Sequence, residues 1–241
     1  MTGVVVALPG EFRALVKRGR PVPKGCVPAS PEVWVVWSGI GSERAKDAAH
    51  ALLAAGAQAL VSWGAAGGLD PALSAGTLLL AEAVVVPGQG RYPVDLRWRA
   101  SLRARLMGHV AFVEGPLAST RKVLDDPAQK AALFRATGAL AADMESGAVA
   151  AVAKQRGKPF LVVRVIADTA AMAMPRRLLH EVDDWGRIRP TSLVAMTLRN
   201  PSELVRLLRL GRRYFSALRT LALVNRHLGL DGLRGPSPSV S

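Results

Sequence analysis

The chain has 241 residues, half of them apolar and 21% charged, with 32 basic against 18 acidic side chains and a formal net charge of +14. That length allows one or two domains with a large core, and the lone Cys26 excludes an internal disulfide, which suits a reducing cytoplasm. The basic balance leaves nucleic acid and anionic membrane open as partners. A membrane span is excluded in residues 48–69, which lack Asp, Glu, Lys and Arg, because Gly56, Gln58, Ser62, Gly64, Gly67 and Gly68 interrupt the apolar run.

Val4 to Leu8 reads as a first buried strand; without a basic leader, and with Glu11 interrupting the apolar stretch, it is not a signal peptide. Residues 21–28, rich in proline, read as a loop in which Cys26 is chemically idle. Val33 to Trp37 is the next strand, and Arg44 to Ala55 has helical spacing with Gly56 as its stop. Ala59 to Trp63 forms a strand entering the glycine-rich segment Gly64 to Gly68, which reads as a loop. Thr77 to Val86 and Val110 to Val113 are β-type runs. Glu145 to Arg156 is helical and leads through Gly157-Lys158-Pro159 into a strand that ends at Arg164. Such alternation predicts an α/β fold, a largely parallel or mixed sheet with helices on both faces.

From residue 199 onward there are eight arginines, no lysine and two acids, +6 in 43 residues. Pro201 can open a helix with Asn200 as its cap. Apolar residues recur at 204, 207, 210, 214, 218 and 221, with Arg206, Arg209, Arg212, Arg213 and Arg219 on the other half of the wheel. The expected division is a catalytic domain at 1–198, an arginine-rich amphipathic helical extension at 199–234 and a disordered tail at 235–241.

The densest chemistry lies in Asp143-Met144-Glu145-Ser146-Gly147-Ala148 and, about twenty residues on, Arg164-Val165-Ile166-Ala167-Asp168. Carboxylates beyond the carboxyl ends of strands sit where α/β sheets bind ligands. Two carboxylates and a guanidinium at one rim suit a sugar diol and a heterocyclic leaving group. Singly, Asp168 also reads as a turn cap and Glu145 as a carboxylate complementing a helix dipole. The four histidines lack metal-ligand spacing, so no metal is expected. The tryptophans are scattered, as core or subunit contacts are.

Four segments together resemble the nucleoside phosphorylase and nucleosidase superfamily, in particular its 5′-methylthioadenosine/S-adenosylhomocysteine nucleosidase branch: Ala7-Leu8-Pro9-Gly10-Glu11, Ser38-Gly39-Ile40-Gly41, Gly64 to Leu69, and the pair just described. The resemblance implies a three-layer nucleoside phosphorylase-like fold with a central mixed twisted sheet; the arginine-rich C-terminal amphipathic helix, which ordinary nucleosidases of this type do not need, is added to it. It implies that Asp168 protonates N7 of a purine and that Glu145 bridges the ribose hydroxyls, with Met144 against the sugar. Glu11 is then the base for an attacking water, and Arg164 an electrostatic anchor. Asp143, Gly67, Ala65 and Val123 fall in the substrate pocket. The branch usually has serines where Ala65 and Ala167 stand here. Gly10, Arg13, Ser38, Gly39 and Gly41 are the candidate phosphate or water site, with Arg44 as a second cation. Phosphorolysis and hydrolysis both stay open, with inorganic phosphate the only co-substrate in view and no cofactor. Related enzymes complete their sites at dimer or higher interfaces, so a homo-oligomer is implied.

Residues 187–219 resemble the tail of hopanoid-associated phosphorylases, which implies adenine release from adenosylhopane. Such a substrate lives in a membrane, and an amphipathic helix bearing arginines can rest on anionic lipid. The expectation is therefore a cytoplasmic enzyme, peripheral on the membrane's inner face. The alternatives are a soluble methylthioadenosine, S-adenosylhomocysteine or futalosine nucleosidase, and, from another class, a basic nucleic-acid-binding protein. The last lacks a reading motif.

Overall fold

Every side chain of the first strand, β1 (Thr2–Val6), is buried, because it lies at the middle of a sheet covered on both faces. The structure, a computed structural model, describes residues 1–16, 25–174, 181–187 and 201–236, with side chains of the last helix described from Leu208 onward. The other strands are β2 (Cys26–Ser30), β3 (Val33–Trp37), β4 (Ala59–Gly68), β5 (Leu78–Val86), β6 (Gly90–Pro93), β7 (Phe112–Ser119), β8 (Ala141–Asp143) and β9 (Phe160–Asp168). The helices are α1 (Pro9–Leu15), α2 (Ser42–Ala54), α3 (Leu96–Leu106), α4 (Pro127–Thr137), α5 (Ser146–Gln155) and α6 (Pro201–Leu228).

The sheet order is β2-β3-β1-β4-β8-β7-β5-β6, with β9 pairing both β4 and β5. β1 lies parallel to β3 and β4, and β4 parallel to β9. β2 on β3, β8 on β4, and β6 and β9 on β5 are antiparallel. The sheet is mixed. β4, β9, β5, β7 and β8 pair in a closed ring, so their edges are satisfied within the fold.

Alternation along the strands sorts the core into two layers. Val4, Val6, Val35, Trp37, Val61, Trp63 and Val163 pack with Phe12 of α1, Trp98 and Leu102 of α3, and Ala217 and Leu221 of α6. Val5, Val36, Leu60 and Val162 face the other way, onto Ala45, Ala49 and Leu52 of α2 and Val149 and Val152 of α5. This is the three-layer arrangement expected from the sequence.

Several local expectations need correction. The glycine-rich segment Gly64 to Gly68 is not a loop: it continues β4, because each residue is paired with β9 or β8. β9 likewise runs past Arg164 to Asp168. Cys26 lies in β2 rather than in a loop, partly buried. Helices α1, α3 and α4 have ordinary start signals that the periodicity reading passed over. Asp95 accepts from Trp98 N at 2.8 Å to cap α3, while Asp126 caps α4 ahead of Pro127.

The C-terminal helix is built into the domain. Its inward stripe includes Ala217, Leu221 and Val224, each fully buried, and Asn225 donates to Ala14 O and Leu15 O beneath α1. Leu208, Arg212, Phe215 and Arg219 form an exposed stripe on the outer side. Asn200, residues 188–193 and the tail at 237–241 lie outside the described residues, as does the side chain of Arg206. Among the described residues no helix is long and apolar enough to cross a membrane. Leu221→Ala should lower the unfolding free energy by about 2–5 kcal/mol, the usual range for a fully packed leucine. Arg219→Ala should change it by less than about 0.5 kcal/mol; urea titration of both reads the difference.

Candidate active site

The parallel strands β1, β3, β4 and β9 end on one side of the sheet, and the chain crosses from β3 to β4 over β1 there. A crevice at such a switch point is the ordinary ligand site of an α/β sheet. Arg164, on β9, is 1% exposed. Its Nη2 lies 2.6 Å from Asp143 Oδ2, 2.7 Å from Ser62 Oγ and 3.1 Å from Ser146 Oγ. Ser146 Oγ donates to Asp143 Oδ2 and lies 2.9 Å from Ser62 Oγ. A side chain on Gly64, paired beside Arg164, would sit 2.4 Å from Arg164 Nη1 and 2.6 Å from Glu11 Oε1, so only glycine fits.

Glu11 is the third residue of α1, and its carboxylate reaches back to the strand end. Oε2 accepts from Ala7 N at 3.0 Å and Leu8 N at 2.9 Å, and Oε1 from Ala65 N at 2.8 Å. Burial pushes its pKa up, against the pull of Arg164 and these amides. Glu145 caps α5 without a helix hydrogen bond of its own. Its Oε1 instead accepts from Gly41 N at 2.8 Å. Burial and then the Asp143 carboxylate raise Glu145 to about 7, against Arg164. Burial disfavours the charge on Arg164, but Asp143, Glu145 and Glu11 outweigh it and raise its pKa. Three carboxylates therefore share one guanidinium.

Asp168 stands apart from this cluster. A bulge in β9 sets Ala66 opposite Ile166 but Gly67 opposite Asp168, leaving Ala167 unpaired and turning the Asp168 carboxylate over Gly67. A Cβ on Gly67 would be 3.2 Å from Asp168 Oδ1. Asp168 Oδ2 is paired with Lys130 Nζ. Burial raises the Asp168 pKa, opposed by Lys130 and by Arg213.

The structure brings Glu11, Arg164, Asp143 and Glu145 together, with Met144 partly exposed beside them and the Ala65 amide as a ligand of Glu11. Val123 is exposed in the segment after β7. The phosphate candidates are differently engaged. Arg13 is exposed, and a side chain on Gly10 would strike Tyr214 Oη and Leu218 of α6. Ser38 gives its amide to Val6 O, and its hydroxyl lies 2.8 Å from Gly39 O. Ile40 N donates to Asp184 O, and Gly41 N is held by Glu145. A side chain on Gly39 would meet Asp184 O at 2.6 Å. Arg44 is no free cation: it pairs with Asp184 and lies 5.8 Å from the Trp185 ring centre. Arg213, grouped by sequence with outward arginines, turns inward, its Nη1 2.9 Å from Met172 Sδ. Arg209, Arg212 and Arg219 are exposed.

Sequence reasoning missed Ser62, Ser146, Tyr214 and Lys130. Ser62 was signalled by a hydroxyl in an otherwise apolar strand, and Ser146 by its place three residues after Asp143. Lys130 carried no signal. Among the described residues no group of three His, Cys, Asp or Glu is placed to hold a metal ion.

Comparison with known proteins adds the family. A family model described as the phosphorylase superfamily matches residues 2–198. No curated protein matches the chain. Native futalosine hydrolase of Helicobacter pylori is 21% identical, with a TM-score of 0.65 over 93% of this chain and 97% of that one. The 5′-methylthioadenosine/S-adenosylhomocysteine nucleosidase of the same organism, with butyl-thio-DADMe-Immucillin-A, is 20% identical at a TM-score of 0.65, over 93% of this chain and 97% of that one. The corresponding S. pneumoniae nucleosidase, with a transition-state inhibitor, is 18% identical at 0.67, over 94% of this chain and 99% of that one. At such identities the likeness is one of fold.

A carboxyl with a raised folded pKa binds its proton more tightly in the native state, so its stabilisation is lost as pH rises from the unfolded value through the folded one. For Glu145 that window runs from 4.5 to about 7. Glu145→Gln should therefore melt several degrees above wild type at pH 8 and show little gain at pH 5, as followed by circular dichroism. An equal gain at both pH values would contradict the assignment.

Proposed function

This chain belongs to the phosphorylase superfamily, and we propose that it cleaves the N-glycosidic bond of a purine nucleoside with water as the nucleophile. One observation carries the reading: two buried acidic centres stand on β9, the Arg164 cluster and Asp168, about 10 Å apart along the strand. A sugar at the first places its base at the second.

In the step, the C1′–N9 bond breaks and its electron pair passes to the base. Asp168 delivers a proton to N7, so the base leaves neutral. The sugar becomes oxocarbenium-like, and the ionised carboxylates around it stabilise that positive charge. Glu145 accepts hydrogen bonds from the ribose hydroxyls. Water adds to C1′ and gives its proton to Glu11, which must be ionised. The replacement of serine by Ala65 does not disable the site on this reading, since only the backbone amide of Ala65 is used.

Water is favoured over phosphate because the donors of Ser38, Ile40 and Gly41 are already committed and Arg13 is exposed. The named neighbours are also nucleosidases and a hydrolase. The finer proposal is that the nucleoside is adenosylhopane, met at the inner face of the cytoplasmic membrane. Its support is the resemblance of the tail to hopanoid-associated phosphorylases together with the exposed Leu208, Arg212, Phe215 and Arg219 stripe. Apolar side chains flanked by arginines suit an anionic lipid surface.

The test is adenine release from adenosylhopane in mixed micelles and from methylthioadenosine in buffer, each with and without phosphate. The expected result is phosphate-independent release, faster from the lipid nucleoside, with Asp168→Asn reducing it by about 10²–10⁴-fold. Release only from methylthioadenosine would remove the lipid substrate. Release only with phosphate would replace water as the nucleophile, and full activity in Asp168→Asn would remove the acid.

A further inference from the structure

α4 is anchored unusually. Its single buried side chain is Lys130, 1% exposed, while Ala128, Gln129, Ala132 and Arg135 face solvent. A buried ammonium needs three acceptors, and Lys130 Nζ has three: Asp168 Oδ2, Thr169 O at 3.0 Å and Met172 O at 3.1 Å. The ammonium thus ties α4 to the end of β9 and to the segment beyond it. No described residue donates a hydrogen bond to Asp168 Oδ1, which lies over Gly67.

We propose that Lys130 is the positioning residue of the leaving-group acid: it grips Asp168 by Oδ2, presents Oδ1 to the base, and makes the proton on Oδ1 easier to release. The inference rests on the nucleoside reading above. When Asp168 gives up that proton, the C1′–N9 electron pair goes to the base and a carboxylate is left in a dry site. Lys130, hydrogen-bonded to Oδ2, stabilises that carboxylate. Burial alone would lock the proton on; the adjacent cation brings the acid strength back toward the working pH, where a general acid is most effective. Among the described residues, the charges facing Asp168 are Lys130 from α4 and Arg213 from α6, while β4 beside it offers only Gly67 and Gly68. Arg213 is partly exposed and gives no described hydrogen bond to Asp168, so Lys130 is the closer control.

The test compares Lys130→Gln and Lys130→Arg with wild type across pH. Activity requires protonated Asp168, so kcat/KM falls on the basic side as that proton is lost. Removing the cation should move this basic limb up by at least one pH unit and lower the maximal rate on an ordinary purine nucleoside at least tenfold. The arginine variant should keep the limb near its wild-type position. A 7-methylated purine nucleoside, whose base leaves without protonation, should be cleaved by Lys130→Gln within about threefold of wild type. Lys130→Gln is prepared at pH 6, because acid favours the neutral Asp168 that leaves no unpaired charge. An unmoved limb would overturn the proposal, as would equal loss on both substrates or failure of the variant to fold even at pH 6, because the role would then be structural. If Asp168→Asn were fully active, the nucleoside reading itself would fail, a separable outcome.

Discussion

The cluster of three carboxylates depends on one buried cation. Arg164, 1% exposed, is surrounded by Asp143, Glu145 and Glu11, and removing it would leave uncompensated negative charge in the core. Each carboxylate is held differently. Asp143 forms the direct ion pair, Glu11 is fixed by three backbone amides, and Glu145 is bound by the amide of Gly41. These elements come from four separate parts of the chain, so the guanidinium couples the strand ends of β1, β4, β8 and β9. Gly64 is set by the same constraint, because no other residue leaves room for Arg164 and Glu11 to approach.

That charge arrangement also separates two kinds of acid. In the proposed reaction, the excess of carboxylates around Arg164 favours positive charge on the bound sugar. At Asp168 the opposite balance holds among the described residues: one carboxylate faces Lys130 and Arg213, which in the proposed reaction ease the departure of its proton. The bulge at Ala167 separates the two environments along one strand.

The legible parts of the sequence were those in which a charged residue interrupts an apolar run. Arg164 and Asp168 stand out against Phe160 to Val163, and Asp143 and Glu145 against Ala139 to Ala142. Valine-rich strands and the alternation with helices were legible for the same reason, since burial on both faces requires continuous apolar runs. The path of Gly64 to Gly68 was not, because glycine has little intrinsic strand preference and pairing with β9 decides its conformation. Nor was the destination of Lys130: on a helix otherwise turned to solvent it reads as an ordinary surface lysine, and only tertiary contact brings it to Asp168. The C-terminal helix was read correctly as amphipathic. Its apolar stripe, however, faces α1, α3 and the sheet, so the surface left for another partner is the narrower band of Leu208, Arg212, Phe215 and Arg219.

The central claim is that this crevice directs water onto the anomeric carbon of a purine nucleoside. Its most direct test is single-turnover cleavage in ¹⁸O-labelled water with phosphate present, followed by mass spectrometry of the sugar before the label can exchange. The account predicts one ¹⁸O atom at C1 of the released sugar, and loss of that product in Glu11→Gln. A 1-phosphorylated sugar carrying no label from water would contradict it.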